Sequence, residues 1–189
     1  MRLKVKTPKQ WLDTVLADFD AFLVDHAQCE RKASALAMSI VAHFRDKPEL
    51  IRAMIDLAIE ELEHFKMVNE LLEERGLMIG PDEKDHYVNQ LIVLIRKSGE
   101  TYLLDRLLVA GVIEARGTER FGLVAEALSE AKLKNLYAEF TRAEARHHGL
   151  FVRLAKKYYD VKTVEDRLEE ILLHEAKIVA EIPFRAAVH

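Results

Sequence analysis

Four stretches of this 189-residue chain carry apolar residues at a 3.6-residue period. The first reads Phe19, Leu23, Ala27, Ala33, Ala37, Ile40 and Phe44, and the second Met54, Leu57, Val68 and Leu71. The third reads Leu103, Leu107, Ala110, Phe121, Val124 and Leu128, and the fourth Leu133, Leu136, Phe140, Leu150 and Leu154. Such spacing predicts amphipathic helices, each with one apolar stripe turned inward. Each stripe is broken near its middle by a carboxylate: Glu30, Glu61, Glu114 and Glu144 in turn.

Breaker and capping residues place the helix ends. Thr7-Pro8 opens a short first helix running to about Asp18, with Pro suited to a first helical position. The helix of Glu30 stops near Asp46-Lys47; Pro48 opens the next, which ends at Gly76. An intervening helix spans about 84 to 97 and ends at Ser98-Gly99. The helix of Glu114 runs to about Leu128, Ser129 is a candidate N-cap for the helix of Glu144, and Thr163 with Asp166 resembles a capping box for a final helix to about Ala180. The expected fold is all-α: a ferritin-like four-helix bundle with additional N-terminal, crossover and C-terminal helices. It is expected to be one domain over residues 1–189, with an internal repeat whose halves cover about 19–76 and 100–159.

The repeat extends to the chemistry. A lone glutamate, Glu30 or Glu114, is followed about thirty residues later by a Glu-x-x-His pair, Glu61 with His64 or Glu144 with His147. Residues three apart on a helix share a face. Two lone glutamates and two such pairs, all pointing into a bundle, form the ligand set of a di-iron or di-manganese carboxylate site. The placement needs such an explanation, because an unpaired buried carboxylate tends to take up a proton instead of staying charged. Four carboxylates balance two divalent cations, and two neutral imidazoles complete a mix suited to iron or manganese. The competing reading pairs the glutamates with Arg31, Arg116 and Arg146. A third match, Glu83-x-x-His86, lies in a Pro- and charge-rich connector without apolar period and reads as chance. His26, one turn before Glu30, reads either as support for that ligand or as a core histidine. Tyr102 and Tyr137 read as packing residues or as redox-active neighbours of a metal, and His148 as a surface residue.

Composition narrows the classes. No apolar stretch approaches the ~20 residues needed to span a bilayer, and the basic N-terminus MRLKVKTPKQW lacks the apolar core of a secretory signal. A single cysteine, Cys29, excludes an internal disulfide and fits a reducing cytoplasm. It is turned away from Glu30 on the helix, so packing is the expected role. A net charge of −4 argues against a broadly basic nucleic-acid binder and against a DNA partner. Local basic residues stand beside the ligand positions all the same, namely Arg31, Lys32, Arg116, Arg142 and Arg146, with Lys4, Lys6 and Lys9 near the start. They read as solvated helix faces or as phosphate contacts.

The segments DHAQCERKASALAM, IEELEHFKMVNELLEERGL, LLVAGVIEARGTERF and FTRAEARHHGLFVRLA resemble the hydroxylases of tRNA 2-methylthio-N6-isopentenyladenosine, the MiaE family. The likeness covers roughly residues 20 to 160 and is most specific in HxxCERKA and IEARxxERF. It implies a non-haem di-iron monooxygenase that uses O2 to hydroxylate the isopentenyl group of the modified adenosine. It also implies mainly terminal roles for Glu30 and Glu114, a bridging pair in Glu61 and Glu144, and nitrogen ligation by His64 and His147. Two external electrons per turnover imply a ferredoxin or similar donor. In IEARGTERF, Arg116, Glu119 and Arg120 are candidates for steadying the ligands or contacting RNA. The ligand pattern alone leaves open a rubrerythrin-like or di-manganese peroxide-consuming enzyme, a ferritin-like iron-handling protein, and a bundle with a vestigial site.

Overall fold

The computed structural model describes residues 2–97 and 99–189. Among them all regular structure is helical: α1 (Lys9–Ala17), α2 (Phe19–His43), α3 (Pro48–Glu74), α4 (His86–Ile92), α5 (Thr101–Ala127), α6 (Ala131–Tyr158) and α7 (Val161–Glu181). The all-α fold class is as expected, and the order of two long helical hairpins joined by a long connection is ferritin-like. None of these helices is long and apolar enough to cross a membrane. Two compact units are formed, one by residues 13–83 and 185–188, the other by residues 1–12, 84–184 and 189.

The first of these units is the α2–α3 hairpin. Asp18 caps α2 by accepting a hydrogen bond from Ala21 N at 3.1 Å. α2 ends at His43, short of Asp46-Lys47, because residues 44–47 are consumed in reversing the chain into Pro48, the first residue of α3. A four-residue turn between long helices makes them antiparallel neighbours, and Ser34 Oγ donates across the pair to the Ala58 carbonyl at 3.0 Å. α3 ends as the sequence suggests. Gly76 takes φ +68°, and the amides of Gly76 and Leu77 donate to the carbonyls of Glu73 and Leu72, the paired bonds of a Schellman motif. The segment after it is tied back to α2: Gln28 donates to the carbonyls of Ile79 and Gly80, and Arg31 and Lys32 both hold Asp82.

The second unit is built around α5, which pairs with α6 and touches α4 and α7. α5 buries Leu104, Asp105, Leu108, Val112, Arg116 and Arg120 in addition to the stripe through Leu103, Leu107, Ala110 and Glu114. A helix enclosed on so many sides must bring partners for its polar groups. Asp105 receives Arg96 and Arg167, at 2.7 Å and 2.9 Å for the shortest contact of each. Arg116 sits fully buried against Glu175 of α7 at 2.7 Å.

Three expected boundaries are displaced, each for a local reason. α4 stops at Ile92 instead of continuing to about 97, because the amide of Arg96 donates to Asp105 and the Leu94 carbonyl accepts from Arg167. Ser98, the expected end of that helix, lies outside the described residues. Ser129 does not cap α6; Glu130 occupies the cap position without a side-chain bond. Thr163 lies inside the first turn of α7, and Asp160 caps that helix by accepting from Lys162 N and Thr163 N.

Candidate metal centre

In the α2–α3 unit, Glu30, Glu61 and His64 are all buried and offer ligand atoms within 4.8 Å of one another. The cause is the register of the hairpin. Glu30 sits midway along the inward stripe of α2, and Glu61 and His64 share one face of α3. His64 Nδ1 lies 3.5 Å from Glu30 Oε2 and 3.5 Å from Glu61 Oε2. Behind Glu30, His26 Nε2 stands 2.7 Å from Oε1, with the imidazole wholly buried. One oxygen of Glu30 is thus taken by His26, and the other faces His64.

The α5–α6 hairpin repeats the arrangement. Glu114, Glu144 and His147 are buried with ligand atoms within 4.8 Å of one another. His147 Nδ1 lies 3.5 Å from Glu144 Oε2. Gly117, one turn after Glu114, lets α6 approach; a methyl group there would stand 3.9 Å from Glu144 Cγ. The residue four before Glu114 is Ala110, so this triad has no counterpart of His26.

The electrostatics of the triad are extreme. Burial pushes the Glu30 carboxyl up, but the hydrogen bond with His26 and the nearby His64 imidazole outweigh it and hold the group well below the usual carboxylate range. Burial alone would lower His64; contact with Glu30 and Glu61 instead pushes it up to about 9. Two carboxylates drawn around one imidazole therefore select a positive charge at their centre.

The donor set fits a divalent metal. A separation of 3.5 Å is too long for a good hydrogen bond. Donor atoms this close together could share one cation. Each triad pairs two carboxylates with one imidazole, so one divalent ion per triad leaves no net charge to bury.

Arg31 and Arg116, two of the arginines in the competing explanation, are engaged elsewhere. Arg31 bonds Gln28 and Asp82, and Arg116 bonds Glu175 and Glu119. Arg116 and Arg120 are both buried, which corrects their candidacy as RNA contacts. Arg116 also donates to Thr7 Oγ1 and the Val5 carbonyl, while the Arg120 guanidinium lies 4.8 Å from the Trp11 ring and 5.8 Å from the Tyr87 ring. Burial pulls Arg120 down to about 10. Tyr87 completes the cluster by donating to Glu175 at 3.0 Å. Sequence reasoning missed this network, since only the Arg116–Glu119 spacing of three is visible locally.

Other candidates resolve simply. Cys29 is half-buried and its thiol donates to Asp25. Glu83 and His86 are exposed, and Glu83 pairs with Arg185. Tyr137 packs edge-on against Phe121 and Phe140. Lys4 pairs with Glu169, and His148 is half-buried.

Comparison with known proteins adds a second line of evidence. Residues 1–189 match the family described as tRNA-(MS[2]IO[6]A)-hydroxylase (MiaE). A Pseudomonas putida protein named tRNA 2-(methylsulfanyl)-N(6)-isopentenyladenosine(37) hydroxylase is 34% identical over 173 residues, 92% of this chain and 84% of that protein. A Salmonella typhimurium protein of the same name is 33% identical over 109 residues, 58% of this chain and 40% of its own length. Among solved structures, "Protein 43 with aldehyde deformylating oxygenase activity from Synechococcus" superposes with a TM-score of 0.95 at 36% identity, covering 100% of this chain and 96% of that one.

Proposed function

Because this chain belongs to the MiaE family of tRNA hydroxylases, we propose that it hydroxylates the isopentenyl group of 2-methylthio-N6-isopentenyladenosine in tRNA, using O2. The observation that carries the reading is the whole-length family match joined to two buried Glu, Glu, His triads in one sequence. On this reading each triad would hold one metal ion, two per chain. The ions are iron, with manganese the other metal that the donors suit. Iron at such a centre supplies activation of dioxygen for insertion of one oxygen atom into a carbon–hydrogen bond. A ferredoxin-type donor supplies the electrons, and the tRNA substrate puts the reaction in the cytoplasm.

The chain's own side chains would hold and shelter the metal ions. Glu30 and Glu114 would serve as terminal ligands, a role that suits Glu30 because His26 already occupies one of its oxygens. Glu61 and Glu144 would supply further carboxylate oxygens to the metal ions, and His64 and His147 would supply nitrogen. His26 fixes the orientation of Glu30, as a hydrogen-bonded outer partner does for a metal ligand. Buried apolar neighbours, including Ala58, Val68, Phe140 and Phe151, keep bulk water from the carboxylates. That dryness strengthens charge interactions and protects a reactive centre from side reactions.

The test is direct. Protein reconstituted with ferrous iron, a reductant and O2 is incubated with tRNA carrying the isopentenyl nucleoside, and digested nucleosides are examined by mass spectrometry. The expected product is heavier by one oxygen atom. Protein holding two irons per chain that leaves the nucleoside unchanged would refute the assignment. An aldehyde, the substrate class in the name of the Synechococcus relative, is the comparison substrate.

A further inference from the structure

A chain of net charge −4 must still hold a polyanion if its substrate is tRNA. The negative surplus is concentrated away from α6. On α3, Glu49, Asp56, Glu63, Glu70, Glu73 and Glu74 are exposed against only Arg52 and Lys66. On α6 the balance is reversed. From Ala145 to Tyr159 the sequence has no acidic residue, whereas Arg146, Arg153, Lys156 and Lys157 all fall there.

Four of the α6 cations align. Arg142, Arg146, Arg153 and Lys157 are exposed and succeed one another at intervals that return to one side of a helix. They cover about 22 Å of helix axis, a length of several nucleotides. Glu144 and His147 lie on the opposite side of the same helix. Lys156, adjacent to the stripe, is engaged by Glu165 at 2.6 Å. Among the described residues, no ion pair engages Arg142 or Arg153.

Two properties of this stripe oppose helix stability. Arg142 with Arg146, and Arg153 with Lys157, are like charges four residues apart, which repel. Gly149 lies between the two pairs on the same side, and an interior glycine weakens a helix relative to alanine. A methyl group on Gly149 would stand 3.1 Å from Arg153 Nη1, so the glycine provides the seat against which that guanidinium lies. An anionic partner laid along the stripe would relieve repulsion between neighbouring cations, because its phosphates neutralise like charges.

We propose that the Arg142, Arg146, Arg153 and Lys157 face of α6 is the track on which the phosphate backbone of the substrate tRNA docks. The proposal rests on the tRNA reading above and extends it to a surface. Being on the reverse side of α6 from Glu144, these residues position the RNA and take no part in the reaction.

The experiment measures binding of tRNA carrying the isopentenyl nucleoside to full-length protein by fluorescence anisotropy over a series of salt concentrations. The stripe variant carries Arg142→Gln with Arg153→Gln. The control removes the same charge from α3 with Arg52→Gln and Lys66→Gln. The stripe variant is expected to bind about tenfold more weakly at low salt, and the slope of log affinity against log salt to fall by about two. The control is expected to stay within about twofold of wild type, and circular dichroism verifies that both variants are folded. Equal losses in the two variants, or an unchanged salt slope in the stripe variant, would overturn the track while leaving the tRNA reading intact. Wild-type protein that does not bind tRNA would remove both.

Discussion

His26 Nε2 and Glu30 Oε1 stand 2.7 Å apart in a wholly buried contact, and the triad of α5 and α6 has alanine where that histidine would fall. The two halves of the repeat therefore share a ligand pattern without sharing its support. His26→Ala leaves one oxygen of Glu30 unsupported. Loss of such an outer partner typically costs about 10- to 100-fold in metal affinity. One of the two bound ions is expected to weaken by that factor while the other is unaffected, and a chelator-competition titration reads the difference. His26→Asn, which can still donate a hydrogen bond, should recover part of the loss.

Glu61→Ala separates a working site from a vestigial one. Glu61 is buried beside His64 and Glu30, so its removal should abolish metal retention in the α2–α3 triad. In metal-free protein the same change removes a desolvated charge, so thermal stability should be unchanged or higher. Metal analysis and calorimetry with and without iron check both halves. Unaltered metal content in the variant would show that this triad holds no ion.

The Arg116–Glu175 pair is the structural centre of the α5–α7 contact, with neither side chain exposed. Arg116→Met leaves Glu175 buried without its main cation. The expected loss is about 3–5 kcal/mol of stability, read by denaturant unfolding. Combining Arg116→Met with Glu175→Leu should cost less than Arg116→Met alone, because no orphaned charge is left inside. Metal content should survive in the folded fraction of the double variant, which separates structural from ligand roles.

Gly117 tests how closely α6 must approach. Its missing side chain faces Glu144 Cγ at ordinary contact distance. Gly117→Ala should fit and should gain up to about 1 kcal/mol of helix propensity. Gly117→Leu should displace Glu144 and lower metal occupancy in the α5–α6 triad, as metal analysis would read.

What the chain made legible was whatever depends on helical register. Glu61 and His64, and Glu144 and His147, share faces because three residues nearly complete a turn, and the stripes around Glu30 and Glu114 turn those residues inward. Gly76 declared its own left-handed turn. The cost of burial could be argued without coordinates, and so could the grouping of glutamate with histidine. Contacts made across distance in the chain were not legible. Nothing local to Arg116 announces Glu175, and nothing near Arg96 announces Asp105 as the group that ends α4 early. The caps at Glu130 and Asp160 misled for a related reason. Several polar residues near each boundary have cap chemistry, and tertiary packing decides which one stands at the helix start.

The enclosure of α5 has a dynamic corollary. The buried middle of α5 cannot open by small fluctuations, because its amides reach water only when the neighbouring helices depart together. Its protons should therefore be the slowest in the molecule to exchange with deuterium, at a rate that reports collective opening of the surrounding helices. Those amides offer an internal clock against which the loosening of every other segment can be timed.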